Sequence, residues 1–217
     1  MKTCALLIAA TLMSLPTIPA SAANLPSHEH FPLFSAAGQQ HALCWRAEKG
    51  EESVVLCLHG IQTHSGWFGP LGKVLSQGHT TVYALDRRGS GAHSGESDQK
   101  DWHGDIDHWE NWIADIQIAA KKIGAEHPGK PLYLLGVSWG CKTALGALAE
   151  DGKTFKGAIL ISPAFATSID PNFFLRGLQK LAMLRPASRV DLTKRLTPDL
   201  YTENPKTQDE WLRPSDP

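Results

Sequence analysis

Leu132-Tyr133-Leu134-Leu135-Gly136-Val137-Ser138-Trp139-Gly140 runs from a short apolar segment into Gly-x-Ser-x-Gly, and the run Cys141 to Ala149 that follows is helical in composition. A strand that turns sharply into a helix at such a sequence forms a nucleophile elbow. The turn lifts the serine hydroxyl out of the sheet, and the two glycines leave room for close backbone approach. Three fixed positions are a weak pattern on their own. The strand before and the helix after are what the turn requires, and they set Ser138 as the candidate nucleophile against the plainer reading of a Gly-rich turn.

Upstream, Val54-Val55-Leu56-Cys57-Leu58 is a continuous apolar run, which suits a central strand covered on both faces. Before it, His30 to Ala36 and His41 to Ala47 flank Ala37-Gly38-Gln39-Gln40 and predict an opening antiparallel hairpin. A helix is expected from Trp67 to Leu75, ended by Gly78. The strand Thr81 to Leu85 then leads into the loop Asp86-Arg87-Arg88-Gly89-Ser90-Gly91. Trp109, Trp112, Ile113, Ile116, Ala120 and Ile123 recur at helical spacing, with Asp107 and Glu110 placed as a capping box. Beyond the elbow, Phe155 to Ile161 predicts a sixth strand closed by Ser162-Pro163. Repeated strand–helix units imply an α/β fold, a mostly parallel sheet with helices on both faces.

A chain of 217 residues with 42% hydrophobic and 20% charged content has the make-up of one globular domain with a real core. Its formal net charge of −1 gives no basic footprint for nucleic acid. Met1-Lys2, the apolar run Cys4 to Leu15 and Ala20-Ser21-Ala22 predict a secretory signal peptide over residues 1–22, cut after Ala22. The apolar run is about a dozen residues, too short to span a bilayer. The expected location is therefore the periplasm or the exterior. Cleavage would leave Cys44, Cys57 and Cys141, an odd count that allows at most one internal disulfide. Cys57 and Cys141 fall where small core residues are expected. No Cys/His spacing resembles a zinc site and no Gly-x-Gly-x-x-Gly follows a strand, so neither a metal nor a cofactor is expected.

Acyl transfer at Ser138 would need donors aimed at the oxygen that becomes negative. The backbone N–H of Trp139, at the start of the post-elbow helix, is one; the N–H of Ile61, in the loop after the Val54–Leu58 strand, is the other. His59 lies in that loop too, and its expected role is to prop it by hydrogen bonds rather than to act as a base.

Leu58-His59-Gly60, Asp86 to Gly91 and Gly136 to Gly140, in that order with strands between them, resemble the α/β-hydrolase superfamily. The branch they resemble most is that of monoacylglycerol lipases, lysophospholipases and serine aminopeptidase-like hydrolases. The resemblance covers the chain from about Val54 onward. It implies a serine ester hydrolase of small-molecule esters or lipids, with an Asp–His pair completing the triad and a helical lid after the sixth strand. The core would occupy residues 23–164 and the lid segment residues 165–217. Phe173, Phe174, Leu178, Leu181 and Ala182 fall on one face of a lid helix that also carries Arg176, Lys180 and Arg185. Such a helix either packs on the body or makes transient contact with a lipid surface.

The resemblance also implies that the acid follows a seventh strand and the histidine an eighth, both after the lid. At about 30 residues per strand–helix unit, roughly 60 more residues would be required. No position here matches either partner, so the sheet is expected to lack its last two strands. All ten histidines precede Ser138. His103 and His108 are the only candidate substitutes, and surface or capping roles suit them better. Three readings stand: the front part of an exported serine esterase, a non-catalytic acyl-lipid binder, and a hydrolase with a rebuilt triad.

Overall fold

The computed structural model describes residues 28–35, 38–61, 63–91, 108–163 and 205. Its sheet has six strands: β1 (Glu29–Ser35), β2 (Gly38–Trp45), β3 (Ser53–Leu58), β4 (Thr80–Leu85), β5 (Leu132–Val137) and β6 (Gly157–Ile161). They lie in the order β1-β2-β4-β3-β5-β6. β1 and β2 are antiparallel to each other, and β2 to β4, while β4, β3, β5 and β6 run parallel. The α/β architecture expected from the sequence is the one observed.

The continuous apolar run of β3 is explained by its place. Successive side chains point to opposite faces, and both faces of β3 are covered. Leu56 packs with Tyr83, Leu134 and the apolar stripe Ile113, Ile116 and Ile123 of α2 (Glu110–Glu126), beside Ala144 and Ala147 of α3 (Trp139–Glu150). Val55 and Cys57 face the other way, with Trp45, Val82, Leu135 and Phe68, against Leu71 and Leu75 of α1 (Gly69–Ser76). Among the described residues, one helix thus covers one face and two cover the other.

Several boundaries differ from expectation. Ser35 pairs with Gly38, so β2 begins at Gly38 rather than His41; Gln39 and Gln40 belong to the ladder, not the turn. The helix expected from Trp67 divides into a 3-10 turn, Ser65–Phe68, and α1, which carries Pro70 in its first turn. His64 caps the 3-10 turn by accepting the Gly66 N–H at 3.2 Å. The acid of the expected capping box, Asp107, falls among residues that are not described; Glu110 is the first residue of α2, and its N-cap, Trp109, makes no side-chain cap bond. Tight turns from Asn111 N–H to His108 O and from Trp112 N–H to Trp109 O serve that end instead. Asp107 lies outside the described residues, as do residues 1–27. The elbow helix starts two residues earlier than expected, at Trp139. Phe155 is buried ahead of β6 rather than within it.

The chain divides into two compact units, residues 1–163 and 164–217. Of the second only Pro205 is described, so the lid positions Phe165, Phe173 to Ala182 and Arg185 lie outside the described residues. Cys44, Cys57 and Cys141 are all buried and free. Among the described residues no helix is long and apolar enough to cross a membrane.

Candidate active site

Parallel pairing of β3 with β5, with Leu58 opposite Gly136, brings the loops after both strands to one end of the sheet. That is where open α/β sheets place their sites. Ser138 sits between β5 and α3 at φ 53° and ψ −114°. A positive φ in a non-glycine residue costs on the order of 1–3 kcal/mol and persists only where the surroundings enforce it. They do so here. The Ser138 N–H donates to Ile161 O at 2.9 Å, its carbonyl accepts from Cys141 N–H at 3.1 Å, and Cys141 Sγ donates to Gly136 O at 3.1 Å.

The glycines of the motif are required by space. A Cβ on Gly136 would lie 2.6 Å from Gly140 O and 2.8 Å from the Cys141 Cα; one on Gly140 would lie 2.7 Å from Leu58 C and 2.9 Å from His59 O. On the opposing loop, a Cβ on Gly60 would stand 3.3 Å from Ser138 Cβ and 3.8 Å from Ser138 Oγ. The loop carrying Ile61 therefore rests directly on the elbow. Trp139, as the first residue of α3, has an N–H with no partner inside the helix. Among the described residues no hydrogen bond engages the N–H of Ile61 or of Trp139. Ser138, Trp139 and the Gly60–Ile61 segment are thus brought together, at the positive end of a helix dipole.

His59 is fixed in a propping role. Its Nε2 accepts the Arg87 N–H at 3.0 Å, so the ring proton is on Nδ1, which donates to Gly60 O at 2.8 Å. The ring links the loop after β3 to the loop after β4. Burial, with the Arg87 charge adding to it, holds its pKa down to about 4, so it is neutral at pH 7. Two other hydrogen-bonded imidazoles, those of His79 and His127, serve elsewhere. His79 bonds Gly50 O, and His127 bridges Tyr83 Oη at 2.8 Å and Glu51 at 2.7 Å. Glu51 precedes β3, so that bridge is at the far end of the sheet from Ser138. His108 is exposed at the entry to α2, and His103 lies outside the described residues.

The loop after β4, Asp86 to Gly91, is legible as a motif in the sequence, but the contacts it makes are not. Arg88 forks onto Asp115 of α2, with Nε to Oδ2 and Nη2 to Oδ1 both at 2.6 Å. Asp86 Oδ1 accepts the Ser65 N–H at 2.7 Å. Gly91, at φ 61°, is packed so closely on the Asp86 carboxylate that any side chain would overlap it. Arg87 lies 4.7 Å over the Trp112 ring, Trp112 meets Trp139 edge to face at 6.5 Å, and Lys142 Nζ is 4.2 Å from the Trp139 ring. Burial pulls the Arg87 guanidinium down to about 10. The one available signal was Asp115 itself, an acid on the apolar face of an amphipathic helix, flanked by Ile113 and Ile116.

A family described as serine aminopeptidase, S33, matches residues 50–214. The monoglyceride lipase of Rattus norvegicus is 24% identical over 188 residues, 78% of this chain and 60% of that protein. That of Homo sapiens is 28% identical over 139 residues, 63% of this chain and 44% of that protein. The chain thus spans between 44% and 60% of the length of these relatives. Among solved structures, a soluble variant of monoglyceride lipase from Saccharomyces cerevisiae, in complex with a substrate analog, matches with a TM-score of 0.64. The match has 17% identity over 87% of this chain and 61% of that one, a likeness of fold.

Proposed function

The chain belongs to the serine aminopeptidase S33 family of α/β-hydrolases, and on that ground we propose that it is the front part of an exported serine hydrolase acting on carboxylic esters of the monoacylglycerol or lysophospholipid class. The ester rather than peptide reading draws on the relatives being monoglyceride lipases. The observation that carries it is Ser138, held at φ 53° on the elbow with the Gly60 loop against its side chain.

In this reading Ser138 Oγ bonds to the ester carbonyl carbon while its proton passes to a histidine. The carbonyl oxygen becomes anionic and is held by the N–H groups of Ile61 and Trp139. Collapse expels the alcohol, which takes the proton from the histidine, and leaves an acyl group on Ser138; water then repeats the sequence. The histidine and its acid partner are proposed to come from residues beyond this sequence, and residues 165–217 to be the family's lid segment. Loss of the histidine in a serine protease costs about a millionfold in turnover, about 8 kcal/mol of barrier. The 217-residue chain by itself is therefore expected to be nearly inactive.

The test compares this chain with one extended through its downstream coding sequence, on p-nitrophenyl esters and on monoacylglycerol. The extended protein should hydrolyse them, lose that activity in Ser138→Ala, and carry Ala23 at its N-terminus after export. Strong hydrolysis that survives Ser138→Ala would overturn the assignment; strong hydrolysis by the 217-residue chain, abolished by Ser138→Ala, would overturn only the placing of the base. A second reading, an acyl-lipid binder without turnover, is favoured by one fact: His59, in the loop that rests on the elbow, has both ring nitrogens engaged by backbone groups. It predicts saturable monoacylglycerol binding by both chains and hydrolysis by neither.

A further inference from the structure

The two N–H donors assigned to the oxyanion are held in different ways. That of Trp139 is fixed by α3, of which Trp139 is the first residue. Ile61 lies in a turn outside any helix or strand, so no regular backbone pairing sets the direction of its N–H. A donor stabilises a developing anion only if it is aimed before the charge forms. Side chains have to aim this one.

The aim is set from the other end of the same peptide. In a trans peptide the C=O and the N–H lie in one plane and point in opposite directions, and the Gly60–Ile61 bond is trans. Whatever holds Gly60 O therefore also holds the Ile61 N–H. Gly60 O accepts two hydrogen bonds, from His59 Nδ1 at 2.8 Å and from Thr63 Oγ1 at 3.1 Å, which use both of its lone pairs. The His59 ring is itself anchored, since Nε2 accepts the Arg87 N–H at 3.0 Å. Thr63 is half-buried and reaches Gly60 O from the far side of the turn. A threonine bonding a carbonyl three residues back is common in turns. This one shares its carbonyl with a second donor, and that carbonyl backs an N–H with no partner of its own, in the loop that rests on Ser138. Two bonds to the oxygen also polarise the peptide and make its N–H a stronger donor.

We infer that Thr63 is a positioning residue: its hydroxyl, acting with His59, holds the Gly60–Ile61 peptide so that the Ile61 N–H faces the oxyanion. The inference rests on the roles given above to Ser138 and Ile61, so one arm of its test needs no turnover. In the 217-residue chain, nitrogen-15 relaxation should give the Ile61 amide an order parameter of about 0.85, falling to about 0.6 in Thr63→Val, which keeps the shape and removes the hydroxyl. Thr63→Ser should hold the parent value. In the extended protein, Thr63→Val should lower kcat about three- to thirtyfold with KM within about twofold of the parent, less than the roughly hundred- to thousandfold for losing a donor outright. Thr63→Ser should restore most of the turnover. Affinity for a trifluoromethyl ketone, which forms a tetrahedral adduct on the serine, should fall in proportion to kcat/KM. An order parameter unmoved in Thr63→Val, or a variant that loses thermal stability at unchanged kcat, would overturn the inference. An extended parent without activity would overturn the ester hydrolase reading instead, and the order parameter would still decide whether Thr63 holds the peptide.

Discussion

Gly140 and Gly146 occupy the same helix, yet a methyl group added at each meets a different kind of neighbour. At Gly140 it would overlap the Leu58 carbonyl and crowd His59 O, which are backbone and cannot give. At Gly146 it meets the end of the Ile113 side chain at 2.6 Å, which can turn aside. Gly140→Ala should therefore destabilise the protein by about 3 kcal/mol. Gly146→Ala should fall within about 1 kcal/mol of the parent, because helix propensity offsets the crowding. Urea denaturation of both variants checks the contrast. His59 offers a second residue-scale expectation. Its imidazole takes a proton near pH 6.5 when unfolded but only near pH 4 when folded. Between those values the unfolded chain binds more protons, so stability rises with pH and the gain is complete above about 6.5. The ceiling is roughly 3 kcal/mol. Denaturation measured from pH 4 to 8 should show this slope, and His59→Gln should flatten it whatever its absolute stability.

At the scale of elements, a buried fork, beside the Arg87–Trp112 stack, fastens the loop after β4 to α2. Asp115 is 3% exposed and both its oxygens are used by Arg88. Removing one partner strands the other charge, so Asp115→Asn should cost about 3 kcal/mol, whereas the double replacement Arg88→Met, Asp115→Leu should recover most of that loss. Chemical denaturation of the single and double variants tells the two apart. How much of this was legible beforehand follows from the range of each interaction. Strands β3, β4 and β5 were legible because burial on two faces writes a continuous apolar run, and α2 because burial on one face writes a 3.6-residue period. The elbow was legible because close backbone approach demands Gly136 and Gly140 at fixed spacing around Ser138. Links that join distant segments leave no local trace. The Arg87–Trp112 stack, the Tyr83–His127–Glu51 bridge and the His59–Arg87 bond each depend on which loops the sheet order brings together. The start of α2 was placed by local spacing alone, and it falls at Glu110 itself, so that glutamate is the first helical residue and not the third.

For the whole molecule, the sheet ends differently on its two sides. Among the described residues β6 pairs with β5 alone, and Ile159 and Ile161 are 50% and 43% exposed. An apolar edge of that kind invites strand pairing between copies. Ile159→Lys should lower light scattering at equal protein concentration while changing stability by no more than about 0.5 kcal/mol; unchanged scattering would mean that association runs through another surface. The three thiols have a different bearing on the whole. Cys44 lies in β2, Cys57 in β3 and Cys141 in α3, each 1% exposed or less and none paired. Burial keeps their protons on, with Cys44 pushed up to about 11. Alkylation needs both access and a thiolate, and the folded state withholds both. Each sulfur is thus a stopwatch set in a separate part of the architecture. The pace at which iodoacetamide consumes it counts how often that part breathes open, and the spread among the three paces tells whether hairpin, central strand and elbow come apart as one or in turn.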